Sequence, residues 1–218
     1  MDEGYAVMLR LTGRLCVIVG GGAVGARKAV ALSATGARIT VISPTLEPLL
    51  EKMVEEGTIN ILRQSYSPGI LRELLPFLVF AATNHSAINK LIADEAKALN
   101  AIVDCTDSSA ESDFIGMSTI RRGPITIALS TGGISPALAV HLRERLEQVI
   151  GDEYATLASW LAEVRPQIRA TPTTQSERAE FWHHIIESPI LDNLRHGDEK
   201  AARSLFDRFI LEATGNST

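Results

Sequence analysis

Residues 15–44 read LCVIVGGGAVGARKAVALSATGARITVISP. An apolar run at 15–19 leads into three glycines, an alanine-rich stretch up to Thr35, and a second apolar run at 37–42. Strand, glycine turn, helix and strand in about thirty residues is the size of one βαβ unit. The stretch therefore predicts the start of a parallel α/β sheet.

Three of these glycines have the dinucleotide-binding spacing Gly20-x-Gly22-x-x-Gly25. We expect Gly20 to allow a tight turn, Gly22 to let the backbone approach a pyrophosphate, and Gly25 to bring helix and strand together. Free N–H groups at the start of the helix would then face the phosphates. Ala23 and Val24, within the glycine motif, are included in the predicted cofactor site. The alternative is a glycine-rich turn that binds nothing.

The end of the second strand lacks the acidic residue that commonly holds the ribose in this motif. The chain has Ser43, Pro44 and Thr45 there. The hydroxyl groups of Ser43 and Thr45 can hydrogen-bond a ribose, so we include these two residues, with Pro44 between them, in the predicted cofactor site. These residues alone do not decide between NAD and NADP.

Composition narrows the functional class. Of the 218 residues 45% are hydrophobic, which is typical of a globular protein, and the net charge of −5 argues against general nucleic-acid binding. Cys16 and Cys105 lie in apolar runs, which favours free thiols in a reducing cytoplasm. The sequence contains no zinc-like spacing, signal peptide or membrane-length apolar run.

Alternating strand and helix patterns continue to Asp107 and predict a Rossmann-type, doubly wound parallel sheet. Ligands bind such sheets at the carboxyl ends of the strands. Thr83 and Asn84 end the fourth strand, and Thr106 and Asp107 follow the fifth. The predicted strands are 15–19, 39–42, 59–63, 77–82 and 102–105, and the predicted helices are 26–33, 45–56 with Thr45 as N-cap, 68–75 and 86–99.

The pattern changes beyond Asp107. Two strands, 114–120 and 125–130, form a predicted hairpin, and Ser135 begins a helix that spans 137–150. A hairpin this small cannot bury itself, so we expect it to pair with a second copy of the chain. The rest is predicted to be helical, with one helix at 154–164 ended by Pro166. The predicted domains are 1–112 for NAD binding, 113–150 for dimerisation and 151–218 for the helical part.

The order of these motifs resembles one known family. The segments that carry the resemblance are 19–24 with 27–29, 81–84 with Asn89, 104–107 with 112–115, and above all Ser130-Thr131-Gly132-Gly133-Ile134-Ser135-Pro136. In order and spacing they are similar to the precorrin-2 dehydrogenase / sirohaem synthase N-terminal family. Matching motifs extend over residues 5–150. The C-terminal tail is similar to the family only in being helical.

The resemblance implies an NAD⁺-dependent oxidation of the tetrapyrrole precorrin-2 to sirohydrochlorin by a homodimer. It also implies that some members insert Fe²⁺ as a second reaction. By the family's motif Asp107 is the catalytic aspartate, the acceptor of the proton released in the oxidation. An Asx cap on the following turn is the alternative reading of Asp107.

For several other candidate site residues, the sequence is compatible with both a functional and a structural interpretation. We expect Asp104, inside the fifth strand, to have a structural or cofactor-binding role. Thr83 and Asn84 would contact the ribose or nicotinamide side of the cofactor, or else form a strand-to-helix turn capped by Asn84 or Ser86. Arg27 and Lys28 would meet a phosphate or a substrate carboxylate, or else be solvated. Further candidates for substrate carboxylates are Arg121, Arg122, Arg143 and Arg145, and His141 is a weaker candidate for an axial metal ligand.

Two other functions are compatible with the sequence. One is a non-enzymatic regulatory module that binds NAD or a tetrapyrrole, and the other is a ferrochelatase without dehydrogenase activity. Redox-sensing regulators usually carry a DNA-binding domain, and neither end of this chain has such a pattern.

Overall fold

The computed structural model describes residues 4–171 and 173–215. The chain divides into two compact units, Met1–Gly116 and Met117–Thr218. No helix within the described ranges is long and apolar enough to cross a membrane.

The first unit is built on a five-stranded parallel sheet, which confirms the predicted Rossmann-type fold. Its strand order is β3-β2-β1-β4-β5. The chain leaves the sheet centre through β2 and β3 and returns to the other side of β1 through β4, so that the order reverses beside β1. The strands are β1 Leu15–Val19, β2 Arg38–Ile42, β3 Asn60–Leu62, β4 Leu78–Ala81 and β5 Ile102–Cys105.

Both faces of this sheet are buried. Alternate side chains of a strand point to opposite faces, and in β1 Cys16 and Ile18 join one apolar cluster while Val17 and Val19 join the other. Helices cover both clusters, as the uninterrupted apolar run of β1 predicts. The helices are α1 Ala23–Ser33, α2 Pro48–Glu55, α3 Ile70–Leu74 and α4 Ser86–Ala98.

Some helix boundaries differ from the prediction. Helix α1 begins at Ala23, directly after the glycine turn, three residues before its predicted start. Helix α2 has Glu47 as its N-cap, so the prediction of Thr45 as N-cap is wrong. Pro48 explains the later start, because proline suits the first helical position, where its missing N–H is not needed.

The second unit begins with the predicted hairpin. Strands β6 Ser118–Arg122 and β7 Ile125–Leu129 are antiparallel, and β6 starts later than predicted. Helix α5, Pro136–Val149, has Ser135 as its N-cap: the Ser135 side chain accepts a hydrogen bond from the Leu138 N–H. This confirms the predicted cap.

Four helices complete the second unit, and one differs clearly from the prediction. Helix α6, Asp152–Ala170, continues through Pro166 instead of ending before it. An internal proline costs about 3 kcal/mol or more, but Val164 and Ile168 are buried on either side, and that apolar burial favours the unbroken helix. The others are α7 Gln175–Glu187, α8 Ile190–Arg195 and α9 Glu199–Thr214.

A separate apolar core joins these helices. Trp160 of α6 packs against Phe206 of α9 with ring centroids 5.5 Å apart, and Ile185 and Ile190 are fully buried beside them. Helix α7 begins with a capping box, in which Thr174 and Glu177 satisfy each other's backbone N–H groups.

Candidate functional site

Two glycines of the turn are needed for the backbone to pack. Gly20 has φ +124°, and a Cβ there would lie 2.2 Å from the Ala82 carbonyl oxygen. A Cβ on Gly25 would lie 2.1 Å from the Gly20 carbonyl oxygen and 3.3 Å from Ile18 Cγ2. Gly20 therefore forms the tight turn and Gly25 allows α1 to approach β1, the geometric roles expected of them.

Gly22 differs because a Cβ there would meet nothing within 4 Å. It is the N-cap of α1, and the first intrahelical bond runs from the Ala26 N–H to the Gly22 carbonyl oxygen. The N–H groups of Ala23, Val24 and Gly25 precede that bond and have no partner within the helix. Open space beside free N–H groups fits a pyrophosphate.

Gly21 has no assigned role in the dinucleotide-binding spacing, although it belongs to the run of three glycines. A Cβ on Gly21 would lie 2.1 Å from the Thr45 carbonyl oxygen and 2.7 Å from Ser43 Oγ. The Glu47 N–H donates to the Gly21 carbonyl oxygen at 2.8 Å. Gly21 therefore allows the loop after β2 to lie against the glycine turn.

That loop contains the predicted ribose contacts. Ser43 is buried, and its hydroxyl donates to the Thr45 carbonyl oxygen at 2.7 Å. The hydroxyl can still accept a hydrogen bond, but its proton is engaged. Pro44 and Thr45 are exposed next to it. The structure thus brings this loop to the glycine turn and leaves two of its three predicted residues accessible.

Glu47 is an acidic residue near the glycine turn that was not among the predicted site residues. One of its carboxylate oxygens, Oε2, is buried and has no hydrogen-bond partner in the described part of the chain. A buried carboxylate oxygen without a donor is costly and calls for an explanation. Glu47 lies about 20 residues beyond the glycines, the spacing of the ribose-binding acid. The end of β2 itself carries no acidic residue, and Glu47 comes later in the chain, at the start of α2.

At the end of β4, Thr83 is fixed by a buried amide. Its N–H and hydroxyl both donate to Asn89 Oδ1, at 3.0 and 2.7 Å, and Asn89 Nδ2 donates to the Thr83 carbonyl oxygen at 3.0 Å. Asn89 is fully buried. Asn84 is exposed, and the N-cap of α4 is His85, so the prediction of Asn84 or Ser86 as cap is wrong.

Asp107 follows β5 and is exposed. The Cys105 thiol donates to Asp107 Oδ1 at 3.2 Å. Hydrogen bonding from the Ser86 side chain, and then from Cys105, lowers the pKa of Asp107 below its ordinary value. Burial, and then the bond to Asp107, raises the pKa of the Cys105 thiol to about 11, which keeps this donor protonated at neutral pH. Asp107 is therefore an accessible, ionised carboxylate.

Asp104 forms an ion pair with Lys28 of α1. The distance from Lys28 Nζ to Asp104 Oδ2 is 2.6 Å, and the two side chains are 27% and 11% exposed. Because α1 begins at Ala23, Lys28 lies in the second turn of the helix. The helix dipole disfavours a cation in the first turn of a helix, but this effect fades beyond that turn, so it opposes Lys28 only weakly.

The ion pair lines a cleft of about 510 Å³ in the first unit. Arg27 is exposed and makes no ion pair or side-chain hydrogen bond among residues 4–171 and 173–215. The residues that line the cleft are Val24, Arg27, Lys28, Asp104, Thr106 and Gly116.

The candidate residues of the second unit are less distinctive. Arg143 pairs with Glu147 at 2.7 Å, and Arg122 lies 3.6 Å from Asp152. Arg121, Arg145 and His141 are exposed. Neither the ion pairs nor the exposure of these side chains indicates which ligand, if any, they bind.

Three family matches cover most of the chain. Residues 7–118 match a family described as "Putative NAD(P)-binding", residues 122–148 match "Sirohaem biosynthesis protein central", and residues 153–210 match "Sirohaem synthase dimerisation region". The first match spans the sheet and the glycine turn, and it confirms that the predicted cofactor is a nicotinamide dinucleotide.

Curated proteins that are similar in sequence to this chain are sirohaem synthases. The chain is 36% identical over 201 residues to a sirohaem synthase of Methylobacillus flagellatus, covering 92% of this chain and 43% of that protein. It is 37% identical over 215 residues to a sirohaem synthase of Gluconacetobacter diazotrophicus, covering 97% and 46%. The chain thus spans less than half the length of these relatives.

A solved structure has the same fold over its full length. It is "SirC, precorrin-2 dehydrogenase", with a TM-score of 0.76 and 26% sequence identity, and the match covers 94% of this chain and 100% of that one.

Proposed function

The chain belongs to the family of precorrin-2 dehydrogenases and sirohaem synthase N-terminal regions, and we propose that it oxidises precorrin-2 to sirohydrochlorin with NAD⁺. The reaction transfers one hydride from a ring carbon to NAD⁺ and releases one proton, so that NADH and H⁺ accompany the product. The chain must hold the cofactor, orient the tetrapyrrole and accept the proton.

One observation carries the proposal. A glycine turn with open space at Gly22 and an accessible carboxylate at Asp107 follow strands β1 and β5, which flank β4 in one parallel sheet. The carboxyl ends of parallel strands meet at one edge of a sheet, where ligands bind. A dinucleotide phosphate site and a proton acceptor therefore share that edge.

The residues at this edge fit NAD. The phosphates would lie at Gly22, with the N–H groups of Ala23, Val24 and Gly25 as donors, while Gly20 and Gly25 shape the turn. The carboxylate of Glu47, one oxygen of which has no donor among residues 4–171 and 173–215, would accept hydrogen bonds from the adenosine ribose. When bound, NAD⁺ supplies the hydride acceptor. The remaining proposed contacts are Ser43, Pro44 and Thr45 on the ribose side and Thr83 and Asn84 on the nicotinamide side.

Asp107 would accept the proton from the macrocycle. Its lowered pKa keeps it ionised and ready to accept at neutral pH, but also makes it a weak base, so the proton would pass on readily to water. Iron insertion would need an acceptor for pyrrole N–H protons, and Asp107 could serve there too. That second reaction stays a prediction.

We also propose that the enzyme is a homodimer. Helix α5 contains no buried residue, and several apolar side chains on it or just before it are exposed. Burial of these groups against a second copy would remove them from water. The exposed set is Ile134 71%, Leu138 48%, Val140 44%, Leu142 38% and Val149 64%. The free buried thiols Cys16 and Cys105 support a reducing compartment, which we take to be the cytoplasm.

The direct test mixes purified protein with precorrin-2, with and without NAD⁺, and follows the visible spectrum. We expect sirohydrochlorin to appear only with NAD⁺, together with the absorbance of NADH. A bound but unchanged tetrapyrrole would favour the regulatory module. Iron insertion into added sirohydrochlorin, without any oxidation of precorrin-2, would favour the ferrochelatase.

A further inference from the structure

The cleft beside α1 has a charge that contrasts with the rest of the chain. Two cations, Arg27 and Lys28, line it against one carboxylate, Asp104, whereas the whole chain carries a net charge of −5. An anionic ligand is repelled by the overall field and attracted locally here. A volume of about 510 Å³ is in the range of small-molecule sites.

The two cations are held differently. Lys28 is fixed: Asp104 pairs with it at 2.6 Å, and its Nζ lies 4.9 Å from the centroid of the Phe80 ring. Gly116 leaves space beside it, since a Cβ there would lie 3.8 Å from Lys28 Nζ. Arg27 has no such partner within the described ranges. A planar guanidinium with free N–H groups is suited to bidentate binding of a carboxylate.

The cleft adjoins the phosphate site at Val24, which lines it, but the two cations of the cleft lie further along α1. Free N–H groups for a pyrophosphate belong to the first turn of α1, whereas Arg27 lies one turn later, and one helical turn is about 5.4 Å. The opposite wall is formed by Asp104 of β5 and Thr106 after it, the segment that leads to Asp107. The cleft therefore adjoins the proposed proton acceptor.

We propose that this cleft binds a carboxylate side arm of the tetrapyrrole, with Arg27 as its main ligand and Lys28, fixed by Asp104, as the second cation. This inference rests on the proposed function, because it takes the substrate to be a polycarboxylate tetrapyrrole. Binding of one acidic arm beside β5 would place the macrocycle next to Asp107. Asp104 limits the attraction, since its carboxylate repels the incoming one.

The test measures binding rather than turnover. Sirohydrochlorin, the coloured product, is titrated into the full chain and its absorption is followed, while NAD⁺ binding is measured by calorimetry. We expect Arg27→Gln to weaken sirohydrochlorin binding about tenfold, the size of one charge-assisted hydrogen bond. NAD⁺ affinity should change less than about twofold, the spread of a neutral surface substitution.

Matched variants make the result specific. Arg72→Gln removes an exposed arginine of α3 and should leave both affinities unchanged. Asp104→Asn should strengthen sirohydrochlorin binding, because it removes the opposing carboxylate. Added salt should weaken binding to the wild type more than to Arg27→Gln, since screening acts on the charge that the variant lacks. Circular dichroism checks that each variant is folded.

Two outcomes would overturn the inference. If Arg27→Gln weakens NAD⁺ binding and leaves the tetrapyrrole unaffected, the cleft serves a cofactor phosphate. If neither affinity changes, Arg27 is a solvated side chain. A wild type that binds sirohydrochlorin through Arg27 but never oxidises precorrin-2 would refute the proposed function and leave this site standing.

Discussion

Most apolar residues in the sheet of the first unit are buried, whereas most of those of helix α5 in the second unit are exposed. Every residue of β4 and all of β1 except Leu15 are buried. In α5 no residue is buried, and Leu138 and Val149 are 48% and 64% exposed. The sheet has its covering helices in its own unit, whereas α5 leaves apolar side chains exposed. We therefore expect catalysis and cofactor binding at the sheet edge to depend on single polar groups. The proposed dimer should instead depend on the apolar area that α5 buries.

The largest expected effect concerns one carboxylate at the sheet edge. Asp107→Ala should lower turnover of precorrin-2 by about 10²–10⁴, the range for loss of an acid–base group. Asp107 is exposed and outside the glycine turn, so folding and NAD⁺ affinity should be kept. Stopped-flow absorbance and calorimetry measure the two quantities.

Asp104→Ala is the control for that experiment. It leaves Lys28, only 27% exposed, without its partner, so it should lower the melting temperature more than Asp107→Ala does. A dead but folded Asp104→Ala, beside a fully active Asp107→Ala, would show that Asp104 is the catalytic aspartate. Full activity of both would leave water or a substrate carboxylate as the base.

The next effect concerns the glycine turn. Gly22→Asp should raise the dissociation constant of NAD⁺ at least about a hundredfold, because like charges at close range cost several kcal/mol. The fold should survive, since Gly22 has φ −86° and open space at its Cβ. Gly25→Ala is the contrasting variant: its Cβ would strike the Gly20 carbonyl oxygen, and the melting temperature should fall. Unchanged NAD⁺ affinity in folded Gly22→Asp would refute the phosphate site.

A substitution on the exposed apolar surface of α5 is expected to affect dimer formation and not cofactor binding. Leu138→Glu should weaken the homodimer about ten- to a hundredfold, because each copy loses the burial of one leucine. Sedimentation velocity at several concentrations measures this change. Leu49→Glu is the matched control, since Leu49 is 44% exposed on α2 of the sheet unit and should leave the dimer intact. A wild type that is monomeric at micromolar concentration would contradict the dimer itself.

A smaller effect is expected at the loop after β2. Glu47→Gln should weaken NAD⁺ binding about tenfold, the value of a hydrogen bond to a charged group. NADP⁺ should be affected less, because the substitution also removes a charge that repels a 2′-phosphate. Calorimetry with both nucleotides measures the preference. Glu55→Gln, an exposed glutamate of the same helix, serves as control. An equal loss of affinity for NAD⁺ and NADP⁺ would show that Glu47 only supports the structure of the loop and does not contact the ribose.

The smallest effect concerns pH. The pKa of Asp107 is lowered, so its carboxylate stays ionised as pH falls through the ordinary range of aspartate and is protonated only below it. Activity should thus show no loss from this group between neutral pH and about pH 4, the ordinary aspartate value. Ser86→Ala removes the largest cause of the shift and should move the acid limb to higher pH, while Ser86→Thr keeps the hydroxyl. An unmoved limb would show that the limb does not report Asp107.

Local sequence determined the elements of both regions. Apolar runs gave the five strands, the glycine spacing gave the turn, and Ser135 before Pro136 gave the start of α5. Each of these signals acts between residues a few positions apart, where backbone geometry and capping bonds decide the structure. The family resemblance then followed from the order of motifs, and family membership is confirmed by the comparisons with relatives.

Only the tertiary structure decided what lies across the sheet edge. Lys28 and Asp104 are 76 positions apart, and neither predicts the other. Gly21 gains its role from the carbonyl oxygen of Thr45, and Glu47 reaches the turn through its N–H bond to Gly21. The course of α6 through Pro166 depends likewise on the buried Ile168. In each case the outcome depends on burial or on contacts that exist only in the assembled fold, and a local sequence pattern does not contain that information.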